Sequence, residues 1–301
     1  MLHLTDFTER LSRDSAVTIG KFDGVHKGHR KLFETVLSVK EQGLAACGVS
    51  FFPEVATGSR VIYSKEEQAA LAKAMGMDVL LQITLSEAIR AMEPEVFVKE
   101  ILCDRLRAKL LVTGEDFRFG KDRAGDVALL RKLSEEYGYR LICVPKVEED
   151  GMRVSSTRIR KLLSEGAMEE ANALLGQPYF VQGTVVHGKQ LGRNLGFPTA
   201  NLCPGKEKLL PAYGVYATRT KVGDCYYYGV TNVGLRPTVK DEKVVSVETF
   251  LMEFSGDLYG TTVTTEFLHF IRPEKRFSSL EALTEAMEKD KKEAFAKLRN
   301  V

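Results

Sequence analysis

No run among the 301 residues approaches 18 consecutive apolar positions, so the sequence offers no membrane-spanning helix. Its five cysteines, at 47, 103, 143, 203 and 225, form no Cys-x-x-Cys pair. An odd, scattered set fits a reducing cytosol better than a disulfide framework. Cys47, Cys103 and Cys143 lie in apolar segments and read as small buried hydrophobes. No dense basic block interleaved with aromatics appears, and 43 Lys+Arg against 41 Asp+Glu leave a net charge of +2. No nucleic-acid partner is therefore expected, and any anion binding must be local. There is no internal repeat and no low-complexity tract. The opening residues, Met1 to Asp6, lack a basic stretch followed by an apolar core, so no signal peptide is expected and the location reads as cytoplasmic. A hydrophobic fraction of 44% and a charged fraction of 28% are those of a globular protein, and the length suggests two domains.

One stretch near the start organises the first half. The apolar run from Ala16 to Gly20 suits a buried strand. It breaks into a turn, Lys21-Phe22-Asp23-Gly24-Val25, and a helical period follows with Leu32, Phe33, Val36, Leu37 and Val39. His26 and His29 thus stand where a strand hands over to a helix, with Gly24 and Gly28 beside them. A helix start exposes unpaired N–H groups and a partial positive charge, which suits phosphate. A lone loop histidine is ordinarily only a cap; the whole string is far more restrictive.

The periodicity predicts strands over 44–52, 78–85, 110–112 and 141–144, and helices over 64–75, 93–107 and 127–137. Ser64-x-x-Glu67 reads as a capping box, and Pro94 fits a first helical turn. Alternating strands and helices imply a parallel, doubly wound α/β sheet, which binds ligands at the carboxyl ends of its strands. Two more stretches should reach that end. One is Gly114-Glu115-Asp116-Phe117-Arg118-Phe119-Gly120, whose rings and cation suit a planar ligand and its phosphate. The other is Ser155-Ser156-Thr157-Arg158-Ile159-Arg160, which opens a helix with hydroxyls and an arginine.

Helical material over 162–175 leads to Gly176-Gln177-Pro178, and the composition then turns β-branched and aromatic. Candidate strands at 180–186, 215–221, 226–231, 244–254 and 263–270 point to an antiparallel barrel or sandwich. A long last helix is expected to start at the box Ser278-x-x-Glu281 and to pack through Leu280, Leu283, Met287 and Phe295. Gly183-Thr184-Val185-Val186-His187-Gly188-Lys189 continues to Gly192, and the segment ends in Pro198-Thr199-Ala200-Asn201. Glycines there would let backbone N–H groups surround phosphates, and the Thr199 and Asn201 oxygens suit Mg²⁺ better than a soft metal. Glu248 sits in an apolar strand, on one face with Ser246 and Phe250 by alternation.

These strings resemble those of bacterial bifunctional riboflavin kinase/FAD synthetases. The first half looks like their HxGH-type adenylyltransferase domain, the second like their riboflavin kinase domain. The likeness extends to Asn232-Val233-Gly234-Leu235-Arg236-Pro237-Thr238 and to Ile271-Arg272-Pro273-Glu274-Lys275. It implies a Rossmann-like adenylyltransferase domain over 1–176 and a β-barrel kinase domain with a terminal helix over 177–301. The implied activities are ATP-dependent phosphorylation of riboflavin to FMN and adenylylation of FMN to FAD. ATP is co-substrate, flavin is substrate and product, Mg²⁺ is the metal, and no membrane partner is implied.

By the same resemblance, His26 and His29 stabilise charge on the triphosphate. Gly20, Phe22, Asp23, Gly24, Gly28, Ser156, Thr157 and Arg160 hold ATP in the first half, and Gly183, Gly188, Lys189 and Gly192 hold it in the second. Asp116, Phe117, Phe119, Asn232 and Arg236 meet flavin, Thr199 and Asn201 the metal. Glu248 is the base on the 5′-hydroxyl. Two positions depart from the family pattern: Lys21 stands where Asn is usual, and Glu54 where the second strand usually ends in Phe-x-Pro-His-Pro. They keep open a chain that is a riboflavin kinase alone. A non-catalytic flavin or nucleotide sensor is the alternative of another class, against which Thr199, Asn201 and Glu248 argue.

Overall fold

The computed structural model describes residues 1–54, 60–187, 199–237 and 243–299. It folds as two compact units, Met1–Ser156 and Thr157–Val301. The expected division at 176/177 falls later than this one.

The first unit is built on a six-stranded parallel sheet in the order β1-β4-β3-β2-β5-β8. Its strands are β1 (Leu2–Leu4), β2 (Ser15–Gly20), β3 (Ala45–Phe52), β4 (Val79–Thr84), β5 (Ala108–Gly114) and β8 (Arg140–Val144). Between and after the last two lie the two-residue strands β6 (Arg118–Phe119), β7 (Gly125–Asp126), β9 (Glu148–Glu149) and β10 (Met152–Arg153). Side chains alternate across the sheet. Val17, Ile19, Val49, Leu81 and Leu111 pack on one face with Phe97, Ile101 and Leu130. Ala16, Ala46, Leu80 and Leu110 pack on the other with Phe33 and Val36 of helix α1 (Lys27–Leu37) and Ala72 of α2 (Lys65–Ala74). Both faces are covered, as the near-continuous apolar strands require.

Chain order decides where the site lies. From β2 the chain steps outward through β3 to β4, then returns to the far side of β2 for β5 and β8. The direction reverses between β2 and β5, and the crevice at such a switch point is where open α/β sheets take ligands. The histidine turn follows β2, and the 114–120 loop follows β5.

Two features of this unit differ from the sequence expectation. β1 pairs with β4 at the sheet edge and is too short to show a period. The helix expected over 93–107 begins with α4 (Pro94–Val96), after a short α3 (Glu87–Arg90), and continues as a π-helical segment, Phe97–Arg105. A strand or helix pattern does not report which carbonyl an N–H selects. The Ser64–Glu67 capping box and the helix α5 (Val127–Tyr137), capped by Asp126, form as their sequences suggest.

In the second unit, α6 (Ser156–Glu165) and α7 (Met168–Leu175) precede a closed antiparallel barrel. Its strands are β11 (Tyr179–Val186), β12 (Thr199–Leu202), β13 (Gly214–Val222), β14 (Cys225–Pro237), β15 (Lys243–Leu251) and β16 (Thr262–Pro273), in the order β11-β12-β15-β14-β13-β16. β12 is the strand the sequence hid: its four residues read as the end of a loop. Buried threonines share hydroxyls across strands, Thr218 to Thr231 at 2.8 Å, Thr231 to Thr249 at 2.8 Å and Thr220 to Thr265 at 3.1 Å, so the hydroxyls are satisfied without water.

The last helix, α8 (Leu280–Leu298), corrects two expectations. Its cap is Ser279, whose hydroxyl accepts from the Ala282 N–H at 3.2 Å, one residue later than the Ser278 box. Leu280 and Phe295 are exposed, whereas Ala294, Leu298 and Asp290 are buried. The face against Ala217 and Leu268 is thus set by Ala294 and Leu298, with the Asp290 carboxyl buried on the same helix.

Candidate active sites

The histidine turn is held in an uncommon backbone geometry. Phe22 and Val25 have φ of 45° and 41°, and Gly24 has φ of 90°. A β-branched residue at positive φ is strained, by about 1–3 kcal/mol, and persists where the surroundings over-determine it. Here they do. Phe22 and Val25 are fully buried, with Phe22 edge-on to Phe33 at 4.7 Å and to His29 at 5.4 Å. The Asp23 carboxylate accepts from the Ile62 N–H at 2.7 Å. The Ser156 hydroxyl donates to the Asp23 carbonyl at 2.8 Å.

His26 is the N-cap of α1: its Nδ1 accepts from the His29 N–H at 3.4 Å. The two imidazoles stack, with ring centroids 3.6 Å apart and planes at 16°. A Cβ on Gly28 would lie 3.2 Å from the His26 ring, so glycine is what lets the ring fold back over the helix start. Burial lowers the His26 pKa from 6.5 to about 4, with Arg153 adding to the effect. Burial, then the neighbouring His26, holds His29 well below its ordinary value. Both rings are neutral at pH 7. Since His26 Nδ1 accepts, its proton sits on Nε2. His29 Nδ1 is buried and has no hydrogen-bond partner among the described residues.

Other residues expected at this site divide. Asp116 pairs with Arg153 at 2.7 Å and Lys146 at 3.6 Å. Burial raises its pKa, but the Arg153 hydrogen bond and charge outweigh it and hold the group below its usual value. Phe117 is half-buried, stacked 5.5 Å from Phe119. Phe119 itself is a core residue, 5.9 Å from Phe97 and pressed on Gly125, where a Cβ would come within 2.8 Å of its ring. It packs in the core beneath the loop. Lys21 is exposed, and Glu54 lies half-buried just past β3. Gly20 closes β2, where a Cβ would strike the Phe22 ring at 2.9 Å. Thr157 is exposed and Arg160 half-buried on the first turns of α6 in the second unit.

The barrel register assembles the second site. Asn201 of β12 stands opposite Glu248 of β15, and Glu248 opposite Asn232 of β14. The row continues to Val215 of β13 and Arg272 of β16. Glu248 accepts from the Ser246 hydroxyl at 3.3 Å. Its neighbours in sequence, Val247, Thr249 and Leu251, turn inward and are buried. The alternation read from the sequence is thus the one present. Glu248, Asn232 and Thr199 line a cavity of about 270 Å³, walled by Val215, Val230 and Phe250 on the barrel and by Phe277, Leu283 and Met287 beyond it. Asn201 Nδ2 donates to the Thr199 carbonyl at 3.2 Å. Gly183 lies in β11. Gly188, Lys189 and Gly192 lie outside the described residues, as does the side chain of Arg236.

The comparisons with known proteins match both halves. Residues 8–158 match the FAD synthetase family model and residues 175–298 the riboflavin kinase model. A bifunctional riboflavin kinase/FMN adenylyltransferase of Pseudomonas fluorescens is 37% identical over 288 residues, covering 92% of this chain and 91% of its own length. The protein of the same name from Bacillus subtilis is 33% identical over 299 residues, covering 95% and 93%. The chain belongs to the bifunctional riboflavin kinase/FMN adenylyltransferase family. A crystal structure of a Streptococcus pneumoniae protein named as a macrolide-efflux protein shares the fold, with a TM-score of 0.83, 28% identity and 97% coverage of each chain. Among the described residues of the present chain, no helix is long and apolar enough to cross a membrane.

Sequence reasoning missed three contributors to these domains. In the FAD synthetase domain, Arg153 lies close enough to His26 to depress its pKa; the signal was its place two residues before the Ser155-Ser156-Thr157 string. Lys27 at the start of α1 pairs with Glu149 of β9 at 2.7 Å and ties that strand pair to the histidine turn. In the riboflavin kinase domain, Arg272 makes a two-pronged bond to Asp290 of α8, at 2.8 and 2.7 Å, beside the cavity. A lone acid within a helix pattern carried no sign of it.

Proposed function

We propose that the barrel phosphorylates riboflavin in the cavity beside Glu248, and that the parallel-sheet unit adenylylates FMN over the histidine turn. The observation that carries the first is the row Asn201–Glu248–Asn232, of which Glu248 and Asn232 line a cavity walled by apolar side chains together with Arg272, Lys275 and Lys291. Glu248 takes the proton of the ribityl 5′-hydroxyl, the freed oxygen attacks the γ-phosphorus of ATP, and ADP leaves. Thr199 and Asn201 place hard oxygens two residues apart on one strand next to that carboxylate, a donor set that fits Mg²⁺ shared with substrate phosphates. Such an ion would neutralise charge on the transferring phosphoryl group. Asn232 meets flavin in the cavity, with Arg236 farther along the same strand. Gly183, Gly188, Lys189 and Gly192 are assigned to the ATP phosphates.

In the adenylyl transfer, an FMN phosphate oxygen attacks the α-phosphorus of ATP and pyrophosphate leaves. Neutral His26 and His29 act as N–H donors to the triphosphate, and Gly20 to Gly28 bring the backbone close to it. Ser156 anchors the turn through the Asp23 carbonyl. Asp116 and Phe117 face flavin, and Phe119 supports them. The alternative of a kinase alone rests on Lys21 and Glu54; against it, the match to the FAD synthetase model runs through both positions. A cytoplasmic enzyme with small-molecule substrates and no nucleic-acid partner completes the reading. One assay tests it: riboflavin, ATP and Mg²⁺ are incubated with the protein, and FMN and FAD are resolved by chromatography. Accumulation of FMN without FAD, also from supplied FMN, would reject the second activity.

A further inference from the structure

The histidine turn is gripped from behind by a chain of buried amides. The Lys21 carbonyl accepts from the Ser50 hydroxyl at 3.1 Å. The Phe22 carbonyl accepts from Gln68 Nε2 at 3.1 Å, and the Lys21 carbonyl shares that donor at 3.4 Å. Gln82 Nε2 donates to Gln68 Oε1 at 3.0 Å and to the Lys65 carbonyl at 3.0 Å. His3 Nε2 lies 2.7 Å from Gln82 Oε1. Gln68 on α2 and Gln82 on β4 are each 1% exposed, whereas His3 is on the exposed edge strand.

Every bond in this chain has a forced direction. A backbone carbonyl only accepts. Gln68 must therefore turn its NH₂ to the Phe22 carbonyl and its oxygen to Gln82. Gln82 must supply an NH₂, which also meets the Lys65 carbonyl, and so presents its oxygen to His3. His3 must carry its proton on Nε2. A satisfied buried network of this kind admits one arrangement. In a trans peptide the N–H points away from the preceding C=O. Holding the Lys21 and Phe22 carbonyls on Gln68 aims the N–H groups of Phe22 and Asp23 to the opposite side. Successive N–H groups at a left-handed residue, here Phe22, form an anion-binding concavity.

We propose that Gln68 and Gln82 are positioning residues of the FAD synthetase unit, with His3 as their outer anchor. They set the two peptide planes that present N–H groups to the triphosphate, and neither touches substrate. The inference rests on the reading that the histidine turn binds ATP.

The test is calorimetric titration of full-length protein with ATP, alongside steady-state FAD and FMN formation. The wild type binds ATP at two sites. Gln68→Leu removes the amide donor that both carbonyls share, leaving the Lys21 carbonyl to Ser50 and the Phe22 carbonyl to the Val25 N–H, and weakens one site about tenfold. It raises the KM for ATP in FAD formation by a similar factor, and leaves the KM for FMN and riboflavin phosphorylation unchanged. Gln68→Glu, of the same size, sets an oxygen against both carbonyls and has the larger effect of the two. Gln82→Leu has a smaller one, because Gln68 keeps its donor and loses only the group that orients it. His3→Ala, at the exposed edge, gives the same pattern at about twofold and stays readable if the core variants do not fold. Unchanged ATP affinity in folded Gln68→Leu and His3→Ala protein overturns the relay, as does an equal rise in the KM for ATP and FMN. A wild type with one ATP site, the barrel's, overturns the ATP reading of the turn and the relay with it.

Discussion

At the residue scale the two candidate sites are built from different groups, one around an acidic side chain and one around two buried imidazoles. Glu248 lies on a strand face shared with Ser246 and stands opposite Asn201 and Asn232. Glu248→Ala is expected to lower FMN formation about 10²–10⁴-fold, the usual cost of losing a general base, while FAD still forms from supplied FMN. Rates with each flavin supplied separately check this. His29→Ala is expected to do the converse, and an unchanged FAD yield would refute the phosphate role of the turn. His26 makes the first unit acid-sensitive. Its folded pKa of about 4 lies below the ordinary 6.5, so between those values the unfolded chain binds more protons. Stability is complete above pH 6.5 and falls as the pH drops toward 4. With each pKa unit worth about 1.36 kcal/mol, His26 contributes about 3 kcal/mol to this loss, and His29 acts with the same sign. Protonation of Nδ1 would also remove the cap on α1. Urea unfolding at pH 7.5 and 4.5 should show the loss, and His26→Asn, which keeps a capping side chain, should reduce it and leave the share that His29 contributes.

At the element scale, start signals were legible where a single local rule governs. Ser64 and Glu67 form the box that their spacing announces. The final helix shows the limit: adjacent serines at 278 and 279 both precede an acid, and only backbone geometry selects between them. Ser279→Ala is expected to destabilise the barrel unit by about 1 kcal/mol, and Ser278→Ala to leave it unchanged. Thermal unfolding of the two variants decides the matter. β12 was hidden because four residues are too few to show a period of two, and its partners in β11 and β15 lie far along the chain. The π-helical stretch at Phe97–Arg105 escaped notice for a related reason: its bonding pattern is selected by packing on the sheet, not by its own propensities.

At the scale of the whole molecule, the chain forms two compact units, each with its own buried core and its own candidate site. A consequence is independence: the Glu248→Ala and His29→Ala variants, mixed in one vessel with riboflavin, ATP and Mg²⁺, should restore FAD from riboflavin through free FMN. Failure of the mixture, with each protein folded and retaining its remaining activity, would contradict separate sites. From the residues alone came the α/β class of the first half, an antiparallel barrel or sandwich for the second, the strand-to-helix placement of His26 and His29, and the face on which Glu248 stands. These follow from periods and turn chemistry acting over a few residues. Only tertiary structure decided that β2 and β5 flank the switch point, that Asn201, Glu248 and Asn232 share one row, that Phe119 is core, and that Gln68 and Gln82 hold the turn. Strand order, register and burial depend on which distant segments meet, and no local pattern carries that information.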